Sequence, residues 1–289
     1  MPTTADTGFA LYSVAEPTLP VLLSVPHAGR DYPDSIFAQL RLPPASLIRL
    51  EDRYADLLAR DAIARKVPTI VAHRARAWID LNRDERDIDV EMVTGLDRTV
   101  YPEPSAKQRG GLGLIPRRLS GEGDIWSRPF TAADVAARIS EYHRRYHACI
   151  SETLSRIRAK FGVAILLDLH SMPPIPPTGQ KPSPQFVVGD RFGKTASSIY
   201  ADLLATRIKH CGYVTALNSP YAGDYLIRQH AATSRNIHAL QLEVDRSLYL
   251  DQMLREPGAG VAAISKLVES LVLSMADQAT GTSTLIAAE

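Results

Sequence analysis

The sequence predicts an α/β fold: one domain with a central mixed, mostly parallel sheet flanked by helices. Two observations carry this. Short apolar runs rich in β-branched residues, closed by Pro, Gly, Asn or Asp, alternate with longer stretches of helical periodicity. That alternation is what a sheet covered by helices requires. The 289 residues, 45% of them hydrophobic, also suffice for one large core.

Strands are expected over 20–25, 68–73, 76–81, 163–169, 184–189, 213–217 and 237–244. The first opens "VLLSVPHAGR", where the apolar run halts at Pro26 and passes into His27. The fourth, in "VAILLDLHS", ends on His170 in the same way. The last alternates, with Leu240, Leu242 and Val244 on one face and Gln241, Glu243 and Asp245 on the other. Helices are expected over 44–65, 131–160, 193–211 and 258–277. Thr131, with Asp134 three residues on, is a capping start. Behind it Val135, Ile139, Tyr142, Tyr146, Ile150, Leu154 and Ile157 recur at helical spacing. Val261, Ile264, Leu267, Val268 and Leu271 form a similar stripe. The segment 94–130, with its "YPEPSAKQRGGLGLIPRR", has little periodicity and reads as a long functional loop. Residues 278–289 read as a disordered tail.

Composition narrows the function. A formal net charge of +1 offers no basic field for nucleic acid or an anionic membrane. Two cysteines, Cys149 and Cys211, lack CxxC spacing, which argues against a disulfide framework and a thiolate zinc site and fits a reducing cytosol. No apolar run approaches the length of a membrane span, and "MPTTADTGFALYS" lacks the marks of a signal peptide. The expectation is a cytoplasmic protein whose partner is a small molecule.

Eight histidines are present. His143 and His147 have HxxxH spacing, but the residues between them include two arginines and no Glu, so they read as a solvated helix face. His27 and His170 differ, because a strand end is a rigid mount for a metal ligand. Asp168, two residues before His170, shares its face and is a supporting partner, a further ligand or a structural carboxylate. A catalytic zinc wants three protein ligands and an open position. The third is Asp52 or Glu51, unless both are exposed acids at a helix start. In "RARAWIDLNRDERDID", Asn82 and Arg83 make a donor fork suited to a carboxylate. The competing reading pairs Arg83 with Asp80, Asp84 or Asp87. Glu243, embedded in an apolar strand, is either a general base or part of a solvent-facing stripe.

Taken in order, "SVPHAG", "EDRYAD", "AWIDLNR", "GLGLIPRR", "LLDLHS", "NSPYAGDY" and "LQLEVDRSLY" resemble the N-formylglutamate amidohydrolase (N-formylglutamate deformylase) family over about residues 20–250. The resemblance implies a phosphorylase/hydrolase-like α/β fold, related to zinc carboxypeptidases and aspartoacylases. It implies one zinc ion on His27, Asp52 and His170, with Glu243 as general acid/base. It implies Asn82 and Arg83 as the grip on a substrate carboxylate and Arg76 as the oxyanion stabiliser. In the loop, Arg109 and Arg117 are available to a second carboxylate, and Arg117 is taken as a substrate contact. The implied reaction converts N-formyl-L-glutamate and water to L-glutamate and formate, in histidine degradation. The chain departs from the family at "YAGDY", where Asp224 stands in place of a second glycine. A carboxylate there would repel an anionic substrate or welcome a cationic group. The alternatives are a carboxypeptidase- or aspartoacylase-like zinc hydrolase of another N-acyl amino acid or short peptide, and a non-catalytic metal- or carboxylate-binding protein.

Overall fold

A computed structural model describes residues 8–96, 103–177, 179 and 182–281. Eleven strands are present among them: β1 (Phe9–Tyr12), β2 (Val21–Val25), β3 (Thr69–Ala72), β4 (Val93–Thr94), β5 (Arg118–Leu119), β6 (Gly123–Asp124), β7 (Phe130–Thr131), β8 (Ala164–Met172), β9 (Phe186–Gly189), β10 (Thr215–Leu217) and β11 (Ile237–Asp245). Seven form one sheet in the order β1-β3-β2-β8-β11-β9-β10, while β4–β7 and β5–β6 make two small ribbons. In the sheet β2, β8 and β11 run parallel, β9 is antiparallel to β11, and β10 is parallel to β9. The expected mixed, mostly parallel sheet flanked by helices is therefore present.

The apolar runs explain the centre of this sheet. Every residue of β2, β8 and β11 is buried. Strands covered on both faces read as near-continuous apolar runs. Helix Val261–Thr280 packs on β2. Helix Ser198–His210 packs on β9 and β10, and the short helix Tyr225–His230 packs on β8 and β11.

Chain contacts divide the molecule into two compact units that interleave in sequence. One comprises 1–10, 26–53 and 71–149; the other comprises 11–25, 54–70 and 150–289. The second holds β8, β9, β10 and β11 with the helices named above. The first is poorer in regular structure and is held by side-chain to backbone bonds. Arg138 is buried in it, stacked over Phe130 and Trp78 and paired with Asp134 at 2.7 Å.

Four expectations need correction. Residues 76–81 form a turn, not a strand. The Asp80 N–H donates to the Leu114 carbonyl, so this backbone pairs with the glycine-rich loop. The helix expected over 44–65 is broken into a 3₁₀ segment, Pro44–Leu50, and two short helices, Ala55–Leu58 and Arg60–Ala64. Glu51 is extended and Tyr54 is left-handed, with φ 59°. The helix at 131–160 contains a π turn, Ile139–His143. His170 lies inside β8, which continues to Met172.

Strand β1 was not anticipated; four residues carry too short an alternation to read. The start at Thr131 is as expected, since its hydroxyl accepts the Asp134 N–H. The last helix runs to Thr280, into the expected tail, and residues 282–289 lie outside the described residues.

Within 94–130, residues 97–102 lie outside the described residues. The rest is ordered by its own contacts. Ser105 and Gln108 cap the helix Ala106–Arg109 reciprocally. Leu114 N–H donates to the Asp87 carbonyl at 2.8 Å and Gln108 Nε2 to Ile88 at 2.6 Å. Glycine is required here. Gly111 has φ +84°, and a Cβ on Gly113 would stand 2.6 Å from the Asp87 carbonyl oxygen.

Candidate metal centre

The broken helix positions the first ligands. At the extended Glu51–Asp52 step the Asp52 N–H donates to the His27 carbonyl at 2.9 Å. The two side chains follow, with His27 Nδ1 3.6 Å from Asp52 Oδ2. That is longer than a hydrogen bond. It matches the spacing of about 3.3 Å between two ligands of one tetrahedral zinc at about 2.05 Å. The other nitrogen, Nε2, donates to Asp80 Oδ1 at 2.7 Å.

Asp80 is wholly buried and gathers the residues around it. It accepts the Arg76 Nε–H at 2.8 Å and the Asn82 backbone N–H at 2.8 Å, and Arg83 Nε lies 3.9 Å away. Burial alone would raise its pKa. Arg76 foremost, then His27 and Arg83, hold it well below the usual carboxylate range. Glu51, the alternative ligand, is engaged elsewhere: it accepts the Tyr32 phenol and pairs with Arg53 at 2.9 Å.

The central strands supply a second set. Asp168 accepts Ser24 Oγ at 3.1 Å through one oxygen and His170 Nε2 at 2.8 Å through the other. Both histidines thus give Nε2 to a carboxylate, an outer partner that fixes ring orientation and tautomer. The β8–β11 register pairs Glu243 with His170 and Gln241 with Asp168, so these four side chains share one face. That face is buried, which overturns the solvent-facing reading of Glu243. The Gln241 amide donates to Glu243 Oε1 at 2.8 Å.

One ligand atom each from His27, Asp52 and His170 lies within 4.8 Å of the other two, and all three residues are buried. Two imidazoles and a carboxylate, each histidine oriented by a second carboxylate, are a donor set that fits zinc.

The remaining candidates fall as follows. Arg76 is anchored through Nε to Asp80. Buried Arg83 donates from Nε to the Leu112 carbonyl at 2.7 Å and from Nη1 to the Asn82 carbonyl at 2.6 Å. Arg117 pairs with Asp89, just ahead of the loop, at 2.6 Å and with Asp124 at 3.4 Å. Arg109 donates to the Pro104 carbonyl. Asp224 precedes the helix Tyr225–His230, and its carbonyl accepts the Arg228 N–H at 3.2 Å. Cys149 and Cys211 are free thiols.

The sequence marks Asp80 only as a possible partner of Arg83, and Gln241 only as a face-mate of Glu243; it does not mark Ser24. A carboxylate flanked by Ile79 and Leu81, among Arg74, Arg76, Arg83 and Arg86, is the signal that Asp80 offers for an orienting role. His143 and His147 are buried, not solvated. Both lie at i+4 steps from Ile139 and so continue the apolar stripe.

Comparison with known proteins fixes the class first: the chain is an amidohydrolase on a mixed α/β sheet. A solved N-formylglutamate amidohydrolase from Ralstonia eutropha shares 31% identity at a TM-score of 0.87, over 96% of this chain and 99% of that one. The family model for N-formylglutamate amidohydrolase matches residues 19–250, and the chain belongs to that family. N-formylglutamate deformylase of Pseudomonas putida is 30% identical over 81% of this chain and 83% of its own length. The Pseudomonas aeruginosa enzyme of the same name is 27% identical over 88% and 93%. A more distant Agrobacterium tumefaciens structure, at 17% identity and TM-score 0.67, shares the fold. Among the described residues no helix is long and apolar enough to cross a membrane.

Proposed function

We propose that the chain is a zinc-dependent N-formylglutamate deformylase, hydrolysing N-formyl-L-glutamate to L-glutamate and formate. The observation that carries the metal is the buried His27–Asp52–His170 cluster, with Asp80 and Asp168 behind its histidines. The substrate class rests on relatives that bear this activity in their names. Zinc, when bound, supplies a Lewis acid and acidifies the attacking water.

The chain's residues do the rest. Glu243 accepts a proton from the water as its oxygen attacks the formyl carbon, and returns it to the amide nitrogen as the C–N bond breaks. Gln241 donates to one Glu243 oxygen and so orients the carboxylate that carries the proton. Arg76, aimed by Asp80, faces the developing oxyanion. Asn82 and Arg83 hold a substrate carboxylate, and their burial excludes competing water.

The test is formate release from N-formyl-L-glutamate by purified protein, before chelation, after it, and after zinc is restored. Release that vanishes with chelation and returns with zinc is expected. Glu243→Gln should keep the metal and lose at least about a hundredfold in kcat, the scale of a positioned acid/base. A metal-loaded protein that releases no formate, or Glu243→Gln at wild-type rate, would overturn the reading.

A further inference from the structure

Two buried histidines take no part in the chemistry described so far. His143 closes the π turn Ile139–His143, and His147 lies one turn further on. Their rings pack against each other at a 42° tilt, with centroids 4.4 Å apart. His143 Nε2 lies 2.8 Å from the Arg83 carbonyl oxygen, and His147 Nε2 lies 2.9 Å from the Leu81 carbonyl oxygen. A carbonyl only accepts, so both rings carry their proton on Nε2 and donate it. Burial lowers the His143 pKa, which favours the neutral ring that this geometry needs.

The two acceptors flank a single residue, Asn82. From its other side the same turn is held by Asp80, which accepts the Asn82 N–H, and by Leu112, whose carbonyl accepts Arg83 Nε. Leu81, Asn82 and Arg83 have no regular secondary structure to fix them. Their backbone direction is therefore set by these bonds. π turns recur at functional sites because the extra residue re-aims the side chains that follow.

We propose that His143 and His147 are positioning residues: a pair of imidazoles in contact that clamps the carbonyls on both sides of Asn82 and so aims Asn82 and Arg83 at the substrate carboxylate. This rests on the carboxylate-holding role given to Asn82 and Arg83 above. The clamp acts on substrate binding and leaves the metal cluster and Glu243 untouched.

Steady-state kinetics on N-formyl-L-glutamate test it, with bound zinc and melting temperature measured for each variant. His143→Gln places an amide N–H near the Nε2 position, whereas His143→Asn is too short to reach the Arg83 carbonyl; the same pair is made at His147. The Asn variants should raise KM roughly five- to tenfold, about the worth of one hydrogen bond, with kcat within about threefold and zinc unchanged. The Gln variants should restore KM. In an Arg83→Lys background, His143→Asn should add little, because both changes act through one turn. Folded, zinc-loaded Asn variants with wild-type KM would overturn the clamp. So would Asn and Gln variants that lose kcat and zinc alike. Arg83→Lys with wild-type KM would instead overturn the carboxylate reading beneath it, whatever the histidine variants do.

Discussion

Asp80 brings three contacts to one carboxylate: a metal-ligand candidate, a guanidinium and a backbone N–H of the turn that follows. Asp80→Asn keeps the shape and removes the charge that orients His27 and balances Arg76. Zinc affinity should fall about ten- to a hundredfold, read by competition with a chromophoric chelator. His143 makes a prediction in pH. Burial depresses its folded pKa below the ordinary 6.5. The fold therefore favours the neutral ring, and its contribution is fully present above about pH 6.5. It is lost as pH falls toward the folded value, because the unfolded chain takes up the proton first. The melting temperature of the wild type should fall more steeply between about pH 6.5 and 5 than that of His143→Gln.

Two kinds of element position the site. β8 and β11 are rigid, buried along their full length and paired residue by residue, so Asp168, His170, Gln241 and Glu243 are placed by register alone. The Glu51–Asp52 step and the 80–83 turn are irregular, and specific hydrogen bonds hold them. The "RGGLGL" loop shows what such docking demands. A methyl group on Gly113 would press into the Asp87 carbonyl, and the backbone at both sides is already hydrogen-bonded. Gly113→Ala should cost about 1–3 kcal/mol, read by denaturant unfolding, and should raise KM through the Leu112–Arg83 contact.

Across the whole chain, the three candidate ligands come from positions 27, 52 and 170. Only the folded chain brings them together, so an ion held there stabilises the folded state by mass action. Zinc at about a hundred times its dissociation constant adds about 2.7 kcal/mol. In a chain of this size that raises the melting temperature by roughly 5–10 °C. Chelation should remove the increment from the wild type and leave Asp52→Asn unchanged. An equal, unshifted melting temperature in both would mean that no ion binds the cluster.

What the sequence by itself determined is what periodicity and ordered motifs can carry. The buried strands at 21–25, 164–172 and 237–245 were legible because a strand covered on both faces must be apolar throughout. Within such runs a His, Asp or Glu stands out, which is how His27, His170, Asp168 and Glu243 were found. The family resemblance favours Asp52 over Glu51 as the acidic ligand. Tertiary structure alone decided the rest. Whether "AWIDLN" was a strand depended on a loop more than thirty residues away, since Asp80 pairs with Leu114. Whether 44–65 stayed one helix depended on the bond from Asp52 to the His27 carbonyl. His143 and His147 looked solvated because their partners are backbone carbonyls, which have no side-chain identity to read. Local pattern specifies what packs on regular elements; long-range hydrogen bonds to the main chain, invisible in residue type, shape the turns that hold the candidate substrate grip.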